Sequence, residues 1–138
     1  MEKKYKIGYT SGVFDLFHIG HLNILKKAKE QCQYLIVGVC SDELAIKLKG
    51  KQPIISYEQR VEIIKCICYV DQAVCEENVD KYEAWRRLHY NALFKGSDAA
   101  KRECYKEYEV KLGKEGVDVI YFPYTNGISS SKIKKKIQ

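Results

Sequence analysis

The chain has 138 residues, 46% of them hydrophobic and 30% charged, a composition typical of one soluble globular domain. No apolar run reaches the ~20 residues of a membrane span, and no secretory signal follows Met1, so we expect a cytoplasmic protein without a membrane partner. The net charge of +6 is spread among acidic side chains except in the C-terminal lysines, so we expect no nucleic-acid partner.

Short β-branched runs alternate with amphipathic segments along the chain, which predicts βαβ units. The predicted strands span residues 6–10, 34–39, 69–74, 92–95 and 117–122. The predicted helices span residues 19–31, 81–89 and 100–114, with further short helices capped by Ser41, by a capping box at Ser56 and by the serines at 129–131. We predict a loop over 49–55 and one α/β domain over 1–138, a doubly wound, Rossmann-like fold with a five-stranded parallel sheet.

The segment after the first predicted strand carries the clearest chemical signal. Ligands bind beyond the carboxyl ends of strands in open α/β sheets, and this place holds Gly12, Gly20 and two histidines. His18 and His21 are three residues apart at a predicted helix start, where free backbone amides favour phosphate. Core packing, capping and half of a zinc site are the ordinary alternatives for such a pair. Its position after a strand and a glycine favours triphosphate binding.

Residues 12–21 read Gly-Val-Phe-Asp-Leu-Phe-His-Ile-Gly-His. They resemble the Gly-x-Phe-Asp-x-x-His-x-Gly-His motif of the cytidylyltransferases, within the nucleotidyltransferase superfamily. Further segments follow in the family's order: Ser41-Asp42-Glu43, Lys49-Gly50-Lys51, Ser56-Tyr57-Glu58-Gln59-Arg60, Tyr69-Val70-Asp71, Gly96-Ser97-Asp98 and Thr125-Asn126-Gly127-Ile128-Ser129-Ser130-Ser131. The chain is most similar to the bacterial glycerol-3-phosphate cytidylyltransferase branch.

The resemblance implies a reaction in which a substrate phosphate attacks the α-phosphate of CTP and releases pyrophosphate. It implies Mg²⁺ as the companion of CTP, a phosphorylated small alcohol as acceptor, with glycerol 3-phosphate as the first candidate, and a homodimer. Such a reaction depends on positioning and on charge stabilisation more than on a protein nucleophile.

The resemblance also assigns roles to individual residues. The implied catalytic residues are His18, His21 and Lys49. The implied nucleotide-binding residues are Val13, Phe14, His18, Gly20, His21, Lys51, Asp98, Thr125, Asn126, Gly127, Ile128, Ser129 and Ser130. The implied substrate-binding residues are Lys49, Arg60 and Lys81.

Several of these residues have ordinary alternatives. The lysines of the predicted loop could serve solubility alone. Arg60 could orient phosphates, anchor the loop or form a surface ion pair. Asp98 could contact the ribose, hold Mg²⁺ through water or cap the next helix, and no direct metal ligand is predicted.

Three positions depart from the glycerol-3-phosphate branch. Cys68 and Tyr124 stand where that branch has arginines, and Ala99 stands where it has a tryptophan. Arginine binds phosphate in a bidentate manner that cysteine and tyrosine cannot reproduce, so the acceptor stays open. An adenylyltransferase acting on a sugar phosphate or cofactor precursor, and a nucleotide-binding module without catalysis, are the alternatives.

Overall fold

A computed structural model describes residues 3–123 and 128–137. One parallel sheet with strand order β3-β2-β1-β4-β5 organises them. The strands are β1 (Tyr5–Gly12), β2 (Cys32–Cys40), β3 (Gln72–Glu76), β4 (Ala92–Gly96) and β5 (Asp118–Phe122). The predicted α/β fold with a five-stranded parallel sheet is confirmed.

Helices follow the strands as the sequence pattern predicts. They are α1 (Ile19–Gln31), α2 (Asp42–Lys49), α3 (Tyr57–Lys65), α4 (Lys81–Leu88), α5 (Glu103–Lys114) and α6 (Ser130–Ile137), with one 3₁₀ helix over Ser97–Lys101. No helix in the described part of the chain is both long enough and apolar enough to span a bilayer.

The sheet separates two apolar cores because successive side chains of a strand point to opposite faces. On one face, Leu35 and Val37 of β2 pack with Leu25 of α1 and Ile64 of α3. On the other face, Ile36 joins residues of α4, α5 and their neighbours: Tyr9, Ala84, Tyr90, Leu93, Tyr105 and Leu112. Both faces of the central strands are covered, which explains their continuous apolar runs.

Several predicted boundaries are wrong for local reasons. The predicted strand over 69–74 begins only at Gln72, because residues after α3 form turns instead. The predicted helix over 100–114 is broken at Arg102, whose ψ of 135° is extended. The capping box at Ser56 is absent, since Ser56 makes no side-chain cap bond and the Tyr57 amide bonds to Asp42 at 3.3 Å.

The strand order places a switch point beside β1. Its neighbours are β2 on one side and β4 on the other. The helices that follow β1 and β4, α1 and α5, pack in different cores on opposite faces of the sheet. Open α/β sheets bind ligands in the crevice at such a point, beyond the carboxyl ends of the strands. Residues that follow Gly12 and Gly96 therefore meet at one site.

Candidate active site

His18 and His21 form a reciprocal cap at the start of α1. The Gly20 amide donates to His18 Nδ1 at 3.0 Å, and the His18 amide donates to His21 Nδ1 at 3.2 Å. A neutral imidazole that accepts at Nδ1 carries its proton on Nε2. Both rings therefore carry an Nε2–H group that can donate a hydrogen bond.

The two imidazole rings are held by close packing. They stack on each other with centroids 3.9 Å apart, and the Phe14 ring meets His21 edge-on at 5.4 Å. A Cβ at Gly20 would lie 2.8 Å from His18 Cε1, so glycine is required for this ring position. Ile128 Cγ2 would lie 3.5 Å from the same Cβ.

The turn before α1 uses two unusual backbone conformations. Phe14 and Leu16 have φ values of 56° and 51°, in the left-handed region that ordinary residues seldom adopt. Gly12 belongs to β1 and does not have a positive φ, so the left-handed residues of the turn are not glycines. Strained residues of this kind are concentrated at functional sites, where surrounding contacts hold them.

The environment keeps both imidazoles neutral near pH 7. Burial and, to a lesser extent, the neighbouring His18 and Lys49 side chains lower the pKa of His21 to about 4, against the opposing effect of Asp15. Burial also lowers the pKa of His18. Both rings therefore act as neutral hydrogen-bond donors through Nε2 in this state.

Asp15 connects the turn before His18, called the histidine turn below, to two other segments. Its carboxylate accepts from the Ile54 and Ile55 amides, both at 2.9 Å, and lies 3.1 Å from Lys134 Nζ of α6. Ser130 donates its hydroxyl to the Asp15 carbonyl at 2.6 Å. Burial alone would raise the pKa of Asp15, but the two amides and the Lys134 ammonium hold it below its ordinary value.

The buried Arg60 side chain holds together the segments around this turn. Its guanidinium donates to the carbonyls of Val13, Cys40 and Ile55 at 2.6 to 2.9 Å and pairs with Asp42 at 2.7 Å. The side chain has no exposed surface. This corrects the expectation that Arg60 binds substrate or forms a surface ion pair, and it matches the loop-anchoring alternative.

Three connected cavities surround the carboxyl end of β1. The His21 cavity, of about 260 Å³, includes Asp15, His21 and Asp98. The Glu76 cavity, of about 330 Å³, includes Glu76 and Lys81. The Lys134 cavity, of about 400 Å³, is lined by residues that include Lys51, Ser130, Ser131, Lys134 and Lys135. Val13 and Lys49 line all three, so the cavities form one continuous cleft.

The predicted lysines lie in this cleft, although one is placed differently from the prediction. Lys49 is the last residue of α2, and the loop begins at Gly50, whose φ of 72° ends the helix. Lys51 lines the Lys134 cavity, and Lys81 lines the Glu76 cavity. The cleft is thus rich in cations, which suits a phosphate ligand.

Asp98 and the serines before α6 have distinct local roles. Asp98 lies in the 3₁₀ helix and lines the His21 cavity, and since α5 has Arg102 at its N-cap, Asp98 does not cap that helix. The Ser129 hydroxyl accepts from the Lys132 amide at 3.1 Å, which confirms a serine cap for α6. The predicted nucleotide-binding residues Thr125, Asn126 and Gly127 lie outside the described residues.

Sequence reasoning did not assign roles to Lys95 and Glu76 of the cleft. Lys95 and Arg102 line both the His21 and the Glu76 cavities, and Glu76 forms part of the latter. Burial and the nearby Lys81 lower the pKa of Lys95 to about 8. The only available signal was position, because Lys95 and Glu76 lie at or next to the carboxyl ends of their strands.

Comparison with known proteins identifies the family. The Cytidylyltransferase-like family matches residues 9–136. The chain is 34% identical to a glycerol-3-phosphate cytidylyltransferase of Bacillus subtilis over 93% of this chain and 94% of that one. The chain belongs to the cytidylyltransferase-like family.

Two further similar proteins have names that indicate other substrates. An FAD synthase of Thermococcus sibiricus is 35% identical over 100% of this chain and 95% of its own. A lipopolysaccharide core biosynthesis protein of Thermoplasma volcanium has a similar structure, with a TM-score of 0.72 and 26% identity over 88% of this chain and 97% of that one. The cytidylyltransferase-like chain is thus a nucleotidyltransferase by superfamily, and its relatives differ in acceptor.

The departures from the glycerol-3-phosphate branch differ in their position relative to the cleft. Cys68 is exposed and lines none of the three cavities. Ala99 is buried and lines the His21 cavity, and Tyr124 lies outside the described residues. The described range contains no cluster of three His, Cys, Asp or Glu side chains able to hold a metal ion.

Replacing Arg60 should destabilise this cytidylyltransferase-like chain strongly. We expect Arg60→Met to lower the free energy of unfolding by about 3 kcal/mol or more, because it leaves buried carbonyls and Asp42 without their shared donor. Urea denaturation measures the change. Arg86→Met, at an exposed position on α4, is the matched control with an expected change within about 0.5 kcal/mol. Equal losses in the two variants would contradict the anchoring role.

The low pKa of His21 predicts a pH dependence of stability. Between about pH 6.5 and pH 4 the unfolded state binds a proton that folded His21 does not, so the free energy of unfolding falls as the pH falls. His21→Asn keeps an acceptor for the His18 amide and removes this titration. We expect the wild-type stability to fall more steeply than that of the variant over this window in urea titrations. Parallel curves would show that His21 titrates normally.

Proposed function

We propose that this chain transfers CMP from CTP to a phosphorylated small alcohol, with glycerol 3-phosphate as the first candidate acceptor, and releases pyrophosphate. The observation that carries the proposal is the pair of neutral imidazoles whose Nδ1 atoms accept backbone amides at the start of α1. Their Nε2–H groups, at the start of a helix, form a pair of donors for phosphate oxygens.

In the proposed step an acceptor phosphate oxygen attacks the α-phosphorus of CTP in line. The bond between the α-phosphorus and the bridging oxygen breaks, and pyrophosphate carries away the electron pair. His18 and His21 donate hydrogen bonds to oxygens that gain negative charge, and Lys49 adds a cation from the shared wall of the three cavities. The lysines of the Lys134 cavity suit the leaving pyrophosphate.

Mg²⁺ fits this arrangement as a companion of the nucleotide. Asp98 provides an exposed carboxylate in the His21 cavity, and Mg²⁺ is commonly held by one or two carboxylates together with substrate phosphates and water. Bound there, Mg²⁺ would neutralise phosphate charge. We also propose a cytoplasmic homodimer on the basis of the family likeness.

An adenylyltransferase is the second candidate function. The observation that favours it is the similarity to the FAD synthase of Thermococcus sibiricus, an ATP-using enzyme, over the whole of this chain. The transfer chemistry at the two histidines would be the same. Only the base recognised and the acceptor would differ.

The test measures pyrophosphate release with Mg²⁺ and each of CTP, ATP, UTP and GTP against a panel of phosphorylated acceptors. Protection against thermal unfolding by each nucleotide is measured in parallel. We expect release with CTP and a polyol phosphate, and the largest protection from CTP. A preference for ATP in both measurements favours the second candidate, and the absence of any nucleotide binding contradicts both.

Removing either imidazole donor should slow turnover. We expect His18→Ala and His21→Ala each to reduce kcat at least ~100-fold, the scale for loss of one transition-state donor. His18→Asn separates catalysis from capping, because asparagine is a good N-cap but has no group at the Nε2 position. It should lose activity like His18→Ala while keeping a higher Tm. His89→Asn is the control and should retain turnover, whereas near-normal turnover in both alanine variants would refute the mechanism.

A further inference from the structure

Lys95 and Ser11 lie side by side at the carboxyl ends of two neighbouring strands. β4 pairs with β1 at Leu93 and Tyr9, and Lys95 and Ser11 each follow that pair by two residues. Side chains two residues apart on a strand point to the same face of the sheet. On this face the two strands therefore change from the apolar core of Tyr9 and Leu93 to polar side chains that line the cleft.

The Lys95 ammonium is held in position but has no anionic partner. It donates to the Ser11 carbonyl at 2.7 Å. Within residues 3–123 and 128–137 it forms no ion pair, and the nearby Glu76 carboxylate pairs with Lys81 instead. Buried charges in proteins are normally paired, because removing a charge from water is costly. A partly buried ammonium without a counterion is suited to bind an anion from solution.

The Ser11 hydroxyl is a second group without a partner at this place. Its oxygen is buried and forms no hydrogen bond within the described parts of the chain, and the residue is 5% exposed. Leaving a buried hydroxyl unsatisfied is unfavourable, and a hydroxyl can donate to an anion. An anion bound here would therefore satisfy both Ser11 and Lys95.

Both residues stand at the border between the His21 cavity and the Glu76 cavity, because Ser11 and Lys95 line both. The resemblance to the family assigns nucleotide binding to His21 and substrate binding to Lys81. Of the two cavities, His21 lines only the first and Lys81 only the second. A phosphoryl group transferred between the two substrates would therefore lie at this border.

We infer that Lys95 is a further catalytic residue whose ammonium donates to an oxygen of the phosphoryl group in transfer, with the Ser11 hydroxyl as a second donor. While the acceptor oxygen forms its bond to phosphorus and the bond to pyrophosphate breaks, Lys95 stays protonated and gives up no proton. Its charge stabilises the phosphoryl oxygens, which is the main demand of such a step. This inference rests on the proposed transfer function and adds two residues to which the resemblance assigns no role.

The surroundings of Lys95 make its ammonium easier to deprotonate in the free protein. Burial, and then Lys81 of α4 and Arg102 before α5, lower the pKa of Lys95 to about 8. Glu76 of β3 and Cys40 of β2 act in the opposite direction. A bound phosphate places negative charge beside the ammonium and raises its pKa again. Nucleotide binding near pH 8 should therefore be accompanied by proton uptake at Lys95.

Removing the charge of Lys95 should slow the transfer without weakening the fold. We expect Lys95→Gln to lower kcat about 100-fold, the scale for loss of one transition-state donor, and to leave Tm at or above the wild-type value, because an unpaired charge is removed. Lys95→Arg keeps a cation and should retain at least about a tenth of wild-type kcat. Wild-type kcat in Lys95→Gln, or a joint loss of kcat and Tm, overturns the role.

Lys101→Gln is the matched control for this pair of variants. Lys101 is exposed on the 3₁₀ helix and lines none of the three cavities, so the same loss of charge should leave kcat unchanged. Equal losses of kcat in Lys95→Gln and Lys101→Gln would show an effect of overall charge and contradict the inference.

The Ser11 hydroxyl is tested separately. Ser11→Ala removes an unsatisfied buried group, so its Tm should equal or exceed that of the wild type, while kcat falls about tenfold because a donor to the phosphoryl group is lost. Ser56→Ala, whose hydroxyl makes no cap bond, is the control and should keep wild-type kcat. Unchanged kcat in Ser11→Ala contradicts the role of the hydroxyl.

Calorimetry of CTP binding with Mg²⁺ at pH 8, in two buffers of different ionisation enthalpy, measures the proton uptake. We expect the wild type to take up about half a proton more per nucleotide than Lys95→Arg, whose guanidinium is always charged. The other charged, imidazole or thiol residues along the two cavities are Asp15, His21, Lys49, Asp98 and Cys104. Cys104→Ser is the control and should keep the uptake. Equal uptake in the wild type and Lys95→Arg overturns the inference.

The two readouts separate this inference from the proposed function. Nucleotide binding with the Lys95-dependent proton uptake, but without pyrophosphate release for any acceptor, refutes the transfer and supports the contact of Lys95 with phosphate. Pyrophosphate release without that uptake supports the transfer and refutes the role of Lys95. The absence of any nucleotide binding refutes both.

Discussion

The arrangement of the cleft depends on two backbone amides that bind the Nδ1 atoms of His18 and His21. These bonds fill a capping requirement that every helix start has, since its first amides lack partners within the helix. They also decide the tautomer of both rings, because an accepting Nδ1 leaves the proton on Nε2. One local interaction therefore begins α1, orients two imidazoles and provides two donors that need no proton from solution. Burial supports the same state by keeping both rings neutral.

Two buried charged residues hold the surroundings of that cap. Arg60 joins carbonyls from the ends of β1 and β2 to the loop before α3, and Asp15 joins the histidine turn to the same loop and to α6. Neither residue needs to contact a ligand to matter for function. Each fixes the relative positions of segments that together line the cleft. The left-handed conformations of Phe14 and Leu16 are held within this network.

Much of the fold could be predicted because its signals are local. Apolar runs marked the buried strands, and the pair of histidines after β1 marked the position of the cleft. The role of Arg60 could not be predicted, because its four acceptors come from segments up to 47 residues away. Lys49 was expected in a loop, since the sequence does not reveal that α2 extends to Lys49. The contacts of Glu76 were missed for the same reason, because Tyr9, Glu76 and Lys81 meet only in the folded protein.

Nitrogen-15 NMR of histidine-labelled protein, recorded at pH 7 before and after addition of CTP with Mg²⁺, tests the central claim most directly. The chain has three histidines, so each can be assigned by substitution. The account predicts neutral Nε2–H tautomers for His18 and His21 in the free protein. It also predicts that the Nε2 resonances of these two rings shift when the nucleotide binds, while those of His89 stay unchanged. Protons on Nδ1 of either ring, or bound nucleotide without a shift at His18 and His21, would contradict the account.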